Sequence, residues 1–223
     1  MSKTIPLTRI QKLIGKRMLE SKRSKPCFYV EVQADITEFM SLRSRLRKAH
    51  GVKVTTNAFY IYCLARAVRE YPLTVGIMEG ENIKIADSVN VGFAIQAPQG
   101  LVVPVIKDSH QKSLAQIAEE VQRLTEKARD NELTLNEIEG ETIALSNLGA
   151  YDIDSFIGIV PPPATVILAV GNIVATLVPR NGEAVVRKMV ALTLAADHRI
   201  IDGKYAGCFL SFIRELIENP QQV

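Results

Sequence analysis

Ten residues near the C-terminal end, AADHRIIDGK from Ala195 to Lys204, gather a histidine, two aspartates and a glycine directly behind an apolar run. The preceding KMVALTLAA is apolar at almost every position, the pattern of a strand buried on both faces. His198 therefore falls where such a strand ends, and Asp202-Gly203 falls where the chain turns into a last helix, from about Lys204 to Glu218. A histidine held at a strand end suits general-base work, because an imidazole of ordinary pKa about 6.5 can take a proton from a thiol of pKa about 8.5 or from an activated hydroxyl. Gly203 permits a tight turn or a close backbone approach. The same residues also fit a plain structural pair, an imidazole hydrogen-bonded to a neighbouring carboxylate. A metal site is not indicated, since His50 and His110 are not at ligand spacing to His198 and no cysteine pair accompanies them.

A second element, LSNLG from Leu145 to Gly149, follows a strand-like run and ends in a glycine. Ser146 there could donate a hydrogen bond to a developing oxyanion, although serine and asparagine are also common where a strand becomes a turn. No G-x-G-x-x-G, P-loop or G-x-S-x-G pattern occurs.

The elements that must position these groups can be read from hydrophobic spacing. Thr8 to about Lys22 is helical, with Ile10, Leu13, Ile14 and Met18 on one face; FYVEVQADIT alternates as a strand; a helix runs from Thr37 to about Ala49 and ends near Gly51. TTNAFYIYCLARAVREY is an apolar helix stopped by Pro72, and NIKIA, VNVGFAIQA and LVVPVI are strand-like. Ser113 to Arg129 is an amphipathic helix with Leu114, Ile117, Ala118, Val121 and Leu124 at core spacing. TIALSNLG is a strand, and TVILAVGNIVATLV and VVRKMVALTLAA are long β-runs joined by a turn at PRNGEA. VPPPAT reads as a rigid loop leading into a strand. Helices interspersed with mostly hairpin-connected strands predict an α/β fold, a two-layer sandwich with a large mixed sheet and helices on one face.

The 223 residues, 47% hydrophobic, suffice for one sizeable core, so a single domain over 1–223 is expected. A net charge of +3 is too mild to indicate nucleic acid, though a local basic cluster could still hold a small polyanion. Cys27, Cys63 and Cys208 are far apart and odd in number, which fits a reduced intracellular compartment better than a disulfide framework. The N-terminus lacks a signal-peptide core, and no apolar run is long enough to span a membrane.

LSNLG and LAADHRIIDG, with Ser146 and His198 52 residues apart, resemble the catalytic domain of dihydrolipoamide acyltransferases, the inner core of 2-oxoacid dehydrogenase complexes. IPLTRIQKLIGKRMLESK, GLVVPVIKD, KSLAQIAEE and VILAVGNI carry the likeness over nearly the whole chain. Chloramphenicol acetyltransferase shares the fold and the H-x-x-x-D-G pattern, but DHRIIDG and the opening helix are more similar to the lipoamide enzymes. The resemblance implies acyl transfer between dihydrolipoamide and coenzyme A, with coenzyme A as a substrate, no metal, and a lipoyl group supplied by a separate domain or protein. His198 would be the general base, Ser146 the oxyanion donor, and Asp202 a residue of the catalytic turn that holds the environment of His198. Arg43, Thr55, Ser146 and Asn147 occupy positions associated with coenzyme A binding, although RSRLRK around Arg43 is equally a solvated helix face. The family works as a homotrimer with active sites between subunits, served by a lipoyl-domain carrier and in places by 2-oxoacid dehydrogenase components, in the cytoplasm or the mitochondrial matrix.

The sequence departs from the family pattern at several points. No lipoyl domain, lipoylation motif or peripheral-subunit-binding domain is found in these residues, so either an excised core or a stand-alone enzyme is implied. Cys27 stands where histidine is common, Val75 and Pro161 where asparagine is usual, and Glu141 and Ala144 where glycine and threonine are common. These changes leave the acyl group and the acceptor open. A coenzyme A-dependent transferase with a small hydroxyl or amine acceptor is one alternative. A non-catalytic core scaffold is another, which retention of Ser146 and His198 speaks against. The polar ending IENPQQV predicts a trimer that does not build a larger cage.

Overall fold

Thr8 opens the first helix through a reciprocal cap: its hydroxyl accepts from the Gln11 backbone N–H at 3.1 Å, and the Gln11 side chain accepts from the Thr8 N–H at 2.9 Å. Helix α1 spans Arg9–Ser24, followed by strand β1 (Cys27–Asp35) and helices α2 (Thr37–His50) and α3 (Thr56–Glu70). Gly51 ends α2 at φ +70°, a left-handed conformation that glycine adopts without strain. Short strands β2 (Gly76–Glu79), β3 (Asn82–Ile85), β4 (Val91–Phe93), β5 (Ile95–Ala97), β6 (Gly100–Val102) and β7 (Val105–Ile106) come next. Helix α4 (Leu114–Arg129), a single helical turn α5 (Leu135–Ile138), strands β8 (Ile143–Asn147), β9 (Val166–Arg180) and β10 (Glu183–Asp197), and helix α6 (Gly203–Glu218) complete the chain. The structure, a computed structural model, describes residues 2–222, with the side chains of Arg9, Ile10, His50 and Gln222 excepted. The places foreseen for Ile10 on the apolar face of α1 and for the imidazole of His50 lie outside the described residues, as does Val223.

The main sheet has six strands in the order β1-β10-β9-β8-β4-β7. Strand β8 is parallel to both β4 and β9, whereas the remaining pairs are antiparallel. The mixed sheet is as the sequence predicts, but its middle is joined by crossovers rather than hairpins. Parallel neighbours require this, since a two-residue turn cannot bring the chain back to the same end.

One face carries Val30, Val32, Leu192, Leu194, Leu168, Val170 and Leu145 against the helices α3, α4 and α6. Helix α3 is buried nearly throughout, from Ala58 to Val68, and α4 buries Leu114, Ile117, Ala118, Val121 and Leu124, the residues its spacing singles out. Over the opposite face runs a strap containing Val160 and Ala164, which packs on Ala144, Ile167 and Ala195. Ser21 and Arg17 of α1 tie that helix to the strap by donating to the carbonyls of Val160 and Pro162, both at 2.6 Å. Leu13 and Leu19 of α1 remain exposed. Among the described residues no helix is long and apolar enough to cross a membrane.

Candidate active site

Strand β10 ends at Asp197, and the chain folds at once into a tight turn: the Asp197 carbonyl accepts from the N–H groups of Ile200 and Ile201 at 3.1 and 3.0 Å. The buried Asp197 carboxylate is gripped by Arg199, with Nη2 to Oδ2 at 2.6 Å and Nε to Oδ1 at 2.9 Å. Burial alone pushes that carboxyl upward, but hydrogen bonds from the side chain and backbone of Arg199 outweigh it and hold the group below the ordinary carboxylate range. His198 is fixed from both sides of its chain. Its N–H donates to the Pro26 carbonyl at 3.1 Å, and its ring packs on Phe28 with centroids 4.6 Å apart at 57°. The imidazole itself faces outward and is exposed. Asp202 is the N-cap of α6, its Oδ1 accepting from the Tyr205 N–H at 2.7 Å, so its described hydrogen bond serves the helix and not the imidazole.

Lys25 and Cys27 line a small recess next to this turn, together with Pro26 and Tyr29. Burial pulls the Lys25 ammonium below its usual range, and its Nζ donates to the Ala164 carbonyl. Burial, followed by the nearby Asp197 carboxylate, pushes the Cys27 thiol upward. The thiol is thereby kept in its neutral, weakly nucleophilic form.

Ser146 lies two strands away, half-buried on β8, on the sheet face opposite the helices. The pairing registers set Ser146 beside Ala169 and Ala169 beside Thr193, five residues short of His198. Two strand spacings and five residues of rise separate the two Cα atoms by about 19 Å. Within one chain Ser146 and His198 are therefore not brought together.

Three of the other predicted residues are brought together. Arg43, Thr55 and Asn147 line one cleft of about 590 Å³, along with Asn57, Tyr60 and Asn172 among others. The cleft opens where β8 stops at Asn147 while β9 continues to Arg180, so that beyond Val170 β9 has lost its ladder partner on that side. Thr55 caps α3 by accepting from the Ala58 N–H at 3.1 Å, and the first-turn residues Thr56 and Asn57 face the cleft at the positive end of the helix. Asn147 donates to Asn57 Oδ1 at 2.7 Å and accepts from the Gly149 N–H at 2.9 Å. Arg43 donates to the Val54 carbonyl at 3.3 Å, and among the described residues no carboxylate forms an ion pair with it. A helix N-terminus and an unpaired guanidinium form an anion-attracting end; Asp152, also on the lining, is its one acidic member.

Tyr60 and Asn172 line this cleft without belonging to any site motif visible in the sequence. Gly171 and Asn172 together oppose Ala191, a β-bulge that turns the Asn172 side chain out of the regular alternation. A glycine isolated within a strand pattern, as in AVGNIV, is the signal that could have located it. Tyr60 carried no such signal, because α3 is apolar on nearly every side. Among the described residues no cluster of three or more potential ligands could hold a metal.

The departures at residues 141 and 144 have structural partners. Glu141, 3% exposed, is paired with Arg17 at 2.7 Å, and Ala144 packs beneath the strap with Ala164 and Ile167.

Comparison with known proteins finds a match to the family model of the 2-oxoacid dehydrogenases acyltransferase (catalytic domain) over residues 1–223. The dihydrolipoyllysine-residue acetyltransferase component of the pyruvate dehydrogenase complex of Rickettsia prowazekii is 32% identical over 98% of the chain and 54% of that protein. The succinyltransferase component of the 2-oxoglutarate dehydrogenase complex of Haemophilus influenzae is also 32% identical, over 99% of the chain and 55% of the relative. The chain thus spans about half the length of these relatives. The dihydrolipoamide acetyltransferase of Azotobacter vinelandii, whose structure was solved to study a serine, a histidine and an asparagine in its catalytic mechanism, superimposes with a TM-score of 0.95 at 30% identity, covering 100% of this chain and 93% of that one. In that enzyme the histidine follows the serine by 52 residues and the asparagine follows the histidine by four. A chain from the cubic core of a pyruvate dehydrogenase multienzyme complex gives the same score and coverage. Chloramphenicol acetyltransferase, at 16% identity and a TM-score of 0.56 over 98% of this chain and 99% of that one, shares the fold. The chain belongs to the 2-oxoacid dehydrogenases acyltransferase family, as its catalytic domain.

Proposed function

We propose that this domain moves an acyl group between the thiol of dihydrolipoamide and the thiol of coenzyme A. The observation that carries the reading is the cleft at the open end of β8, which gathers Arg43, Thr55 and Asn147 one residue from Ser146. Its basic, helix-capped end suits the phosphates of coenzyme A. The intervals from Ser146 to His198 and from His198 to Asp202 equal those of the serine, histidine and asparagine studied in the Azotobacter enzyme, with an aspartate here in the third place.

In this scheme His198 removes the proton of the attacking thiol. The thiolate adds to the thioester carbonyl, and Ser146 donates its hydroxyl hydrogen to the oxyanion that forms. One such donor is worth about 3–4 kcal/mol in the transition state. The carbonyl re-forms as the second thiolate leaves, and His198 returns the proton to it. Asp202 holds the start of α6, and with it the end of the turn that bears His198. No acyl-enzyme is involved, so the cysteines have no nucleophilic role.

Because Ser146 and His198 of one chain lie about 19 Å apart by strand geometry, each site needs His198 from one subunit and Ser146 from another. A homotrimer supplies this. The lipoyl group arrives on a separate domain or protein, and the dehydrogenase components of a 2-oxoacid dehydrogenase complex are the partners, in the bacterial cytoplasm or the mitochondrial matrix.

The test is acetyl transfer from acetyl-coenzyme A to dihydrolipoamide. His198→Ala and Ser146→Ala should each lower turnover by orders of magnitude, and mixing the two variants as co-assembled oligomers should restore a fraction of it. Absence of wild-type turnover would overturn the reaction; absence of restoration would overturn the shared site.

A further inference from the structure

Two residues that line the cleft each carry a buried side-chain atom with no hydrogen-bond partner among the described residues: the hydroxyl of Tyr60 and the carboxamide oxygen of Asn172. Tyr60 is 1% exposed, and desolvation drives its phenol well above the ordinary range, so the group stays a neutral donor and acceptor. Leaving such a group buried and unpaired costs roughly 1–3 kcal/mol, and the surrounding helix would be as well served by phenylalanine. Asn172 reaches the cleft because of the bulge with Gly171. The bulge is anchored by the Asn172 N–H donating to the Ile153 carbonyl at 2.8 Å. Two separate elements, α3 and β9, thus each bring one unsatisfied polar atom to the same cavity.

From this arrangement we infer that Tyr60 and Asn172 bind the pantetheine arm of coenzyme A and set the specificity for that arm. The inference rests on the coenzyme A reading above. The arm carries two secondary amides separated by methylene groups, and each amide offers one N–H and one carbonyl. The Tyr60 hydroxyl donates to an amide carbonyl, and the Asn172 oxygen accepts from an amide N–H. Arg43 and the N-terminal turn of α3, on the lining of the same cleft, engage the phosphates. The ligand therefore satisfies on binding what the free domain leaves unsatisfied. An apolar thiol of the same length would forfeit both bonds and leave the two protein groups buried and unpaired.

The experiment compares two ligands on three proteins by calorimetric titration: coenzyme A, and adenosine 3′,5′-bisphosphate, which has the phosphate end but no pantetheine. Tyr60→Phe and Asn172→Ala should each weaken coenzyme A about tenfold, the loss of one buried hydrogen bond, and leave the bisphosphate unchanged. The melting temperature of Tyr60→Phe should stay level or rise, since an unpaired hydroxyl is removed. Unchanged coenzyme A affinity, or an equal loss for both ligands, would sink the inference while leaving the coenzyme A reading intact. A wild-type domain that binds neither ligand would sink the coenzyme A reading as well.

Discussion

The side chains around His198 are held by charges that the imidazole does not share. Arg199 neutralises Asp197, and Lys25 stands near the same carboxylate, so the end of β10 is pinned by an ion pair at its last residue. The pairing keeps the Asp197 carboxyl below its unfolded value of about 3.9. It therefore contributes stability that is fully present above about pH 4 and is lost as pH falls through the lowered folded value. Arg199→Ala should reduce the melting temperature by an amount that is constant from neutral pH to about pH 5 and shrinks in more acidic solution; a deficit that stays the same at pH 3 would refute the assignment. At this scale the sequence was informative where a residue's role is local. Asp202-Gly203 marks the turn into the last helix and Thr8 the start of the first, and both Asp202 and Thr8 prove to be helix caps. The orphaned state of Tyr60 was not legible, because it depends on which atoms α2, α4 and β9 place around the ring.

Among the elements, the junction of β8 and β9 decides the shape of the cleft. Gly149 and Gly171 interlock there: a Cβ on Gly149 would lie 2.6 Å from the Gly171 carbonyl oxygen, and a Cβ on Gly171 would lie 1.8 Å from that of Asp154. Neither obstacle is a side chain that could swing away. Gly171→Ala should cost roughly 1–3 kcal/mol of stability, as overpacking does. It should also weaken coenzyme A by displacing Asn172. Gly207→Ala, in the middle of α6 with nothing within 4 Å of the added carbon, should be neutral or stabilising by up to about 1 kcal/mol. Chemical denaturation of the two variants that gave the same shift would contradict this account. The long helices and the β9–β10 hairpin were readable from period and turn chemistry. The parallel placement of β4, β8 and β9 was not, since hydrophobic pattern gives each strand its faces but not its neighbours. The turn α5 and strand β2 also escaped notice, being too short to show a period.

At the level of the whole molecule, the far half of the β9–β10 hairpin projects beyond the sheet. β1 ends at Asp35 opposite Met189, and the Lys188 carbonyl still accepts from the Ile36 N–H at 2.9 Å; from Arg187 toward the tip β10 has only β9 as its ladder partner. Asp35 holds both strands of this ribbon: Arg187 of β10 at 2.6 Å, and Arg180, the last residue of β9 beside the turn, at 3.0 Å. Along the ribbon Val174, Leu177 and Val186 are open to solvent, at 42%, 69% and 64% exposure. A two-stranded ribbon is marginal in water without a surface to lie on, so in the proposed trimer the arm would tie folding of the chain to its neighbours. Dilution then becomes a denaturant. By mass action each tenfold fall in protein concentration should lower the melting temperature, and guest molecules that cap the arm should reverse the effect. A melting temperature independent of concentration from nanomolar to micromolar would show that the ribbon stands unaided.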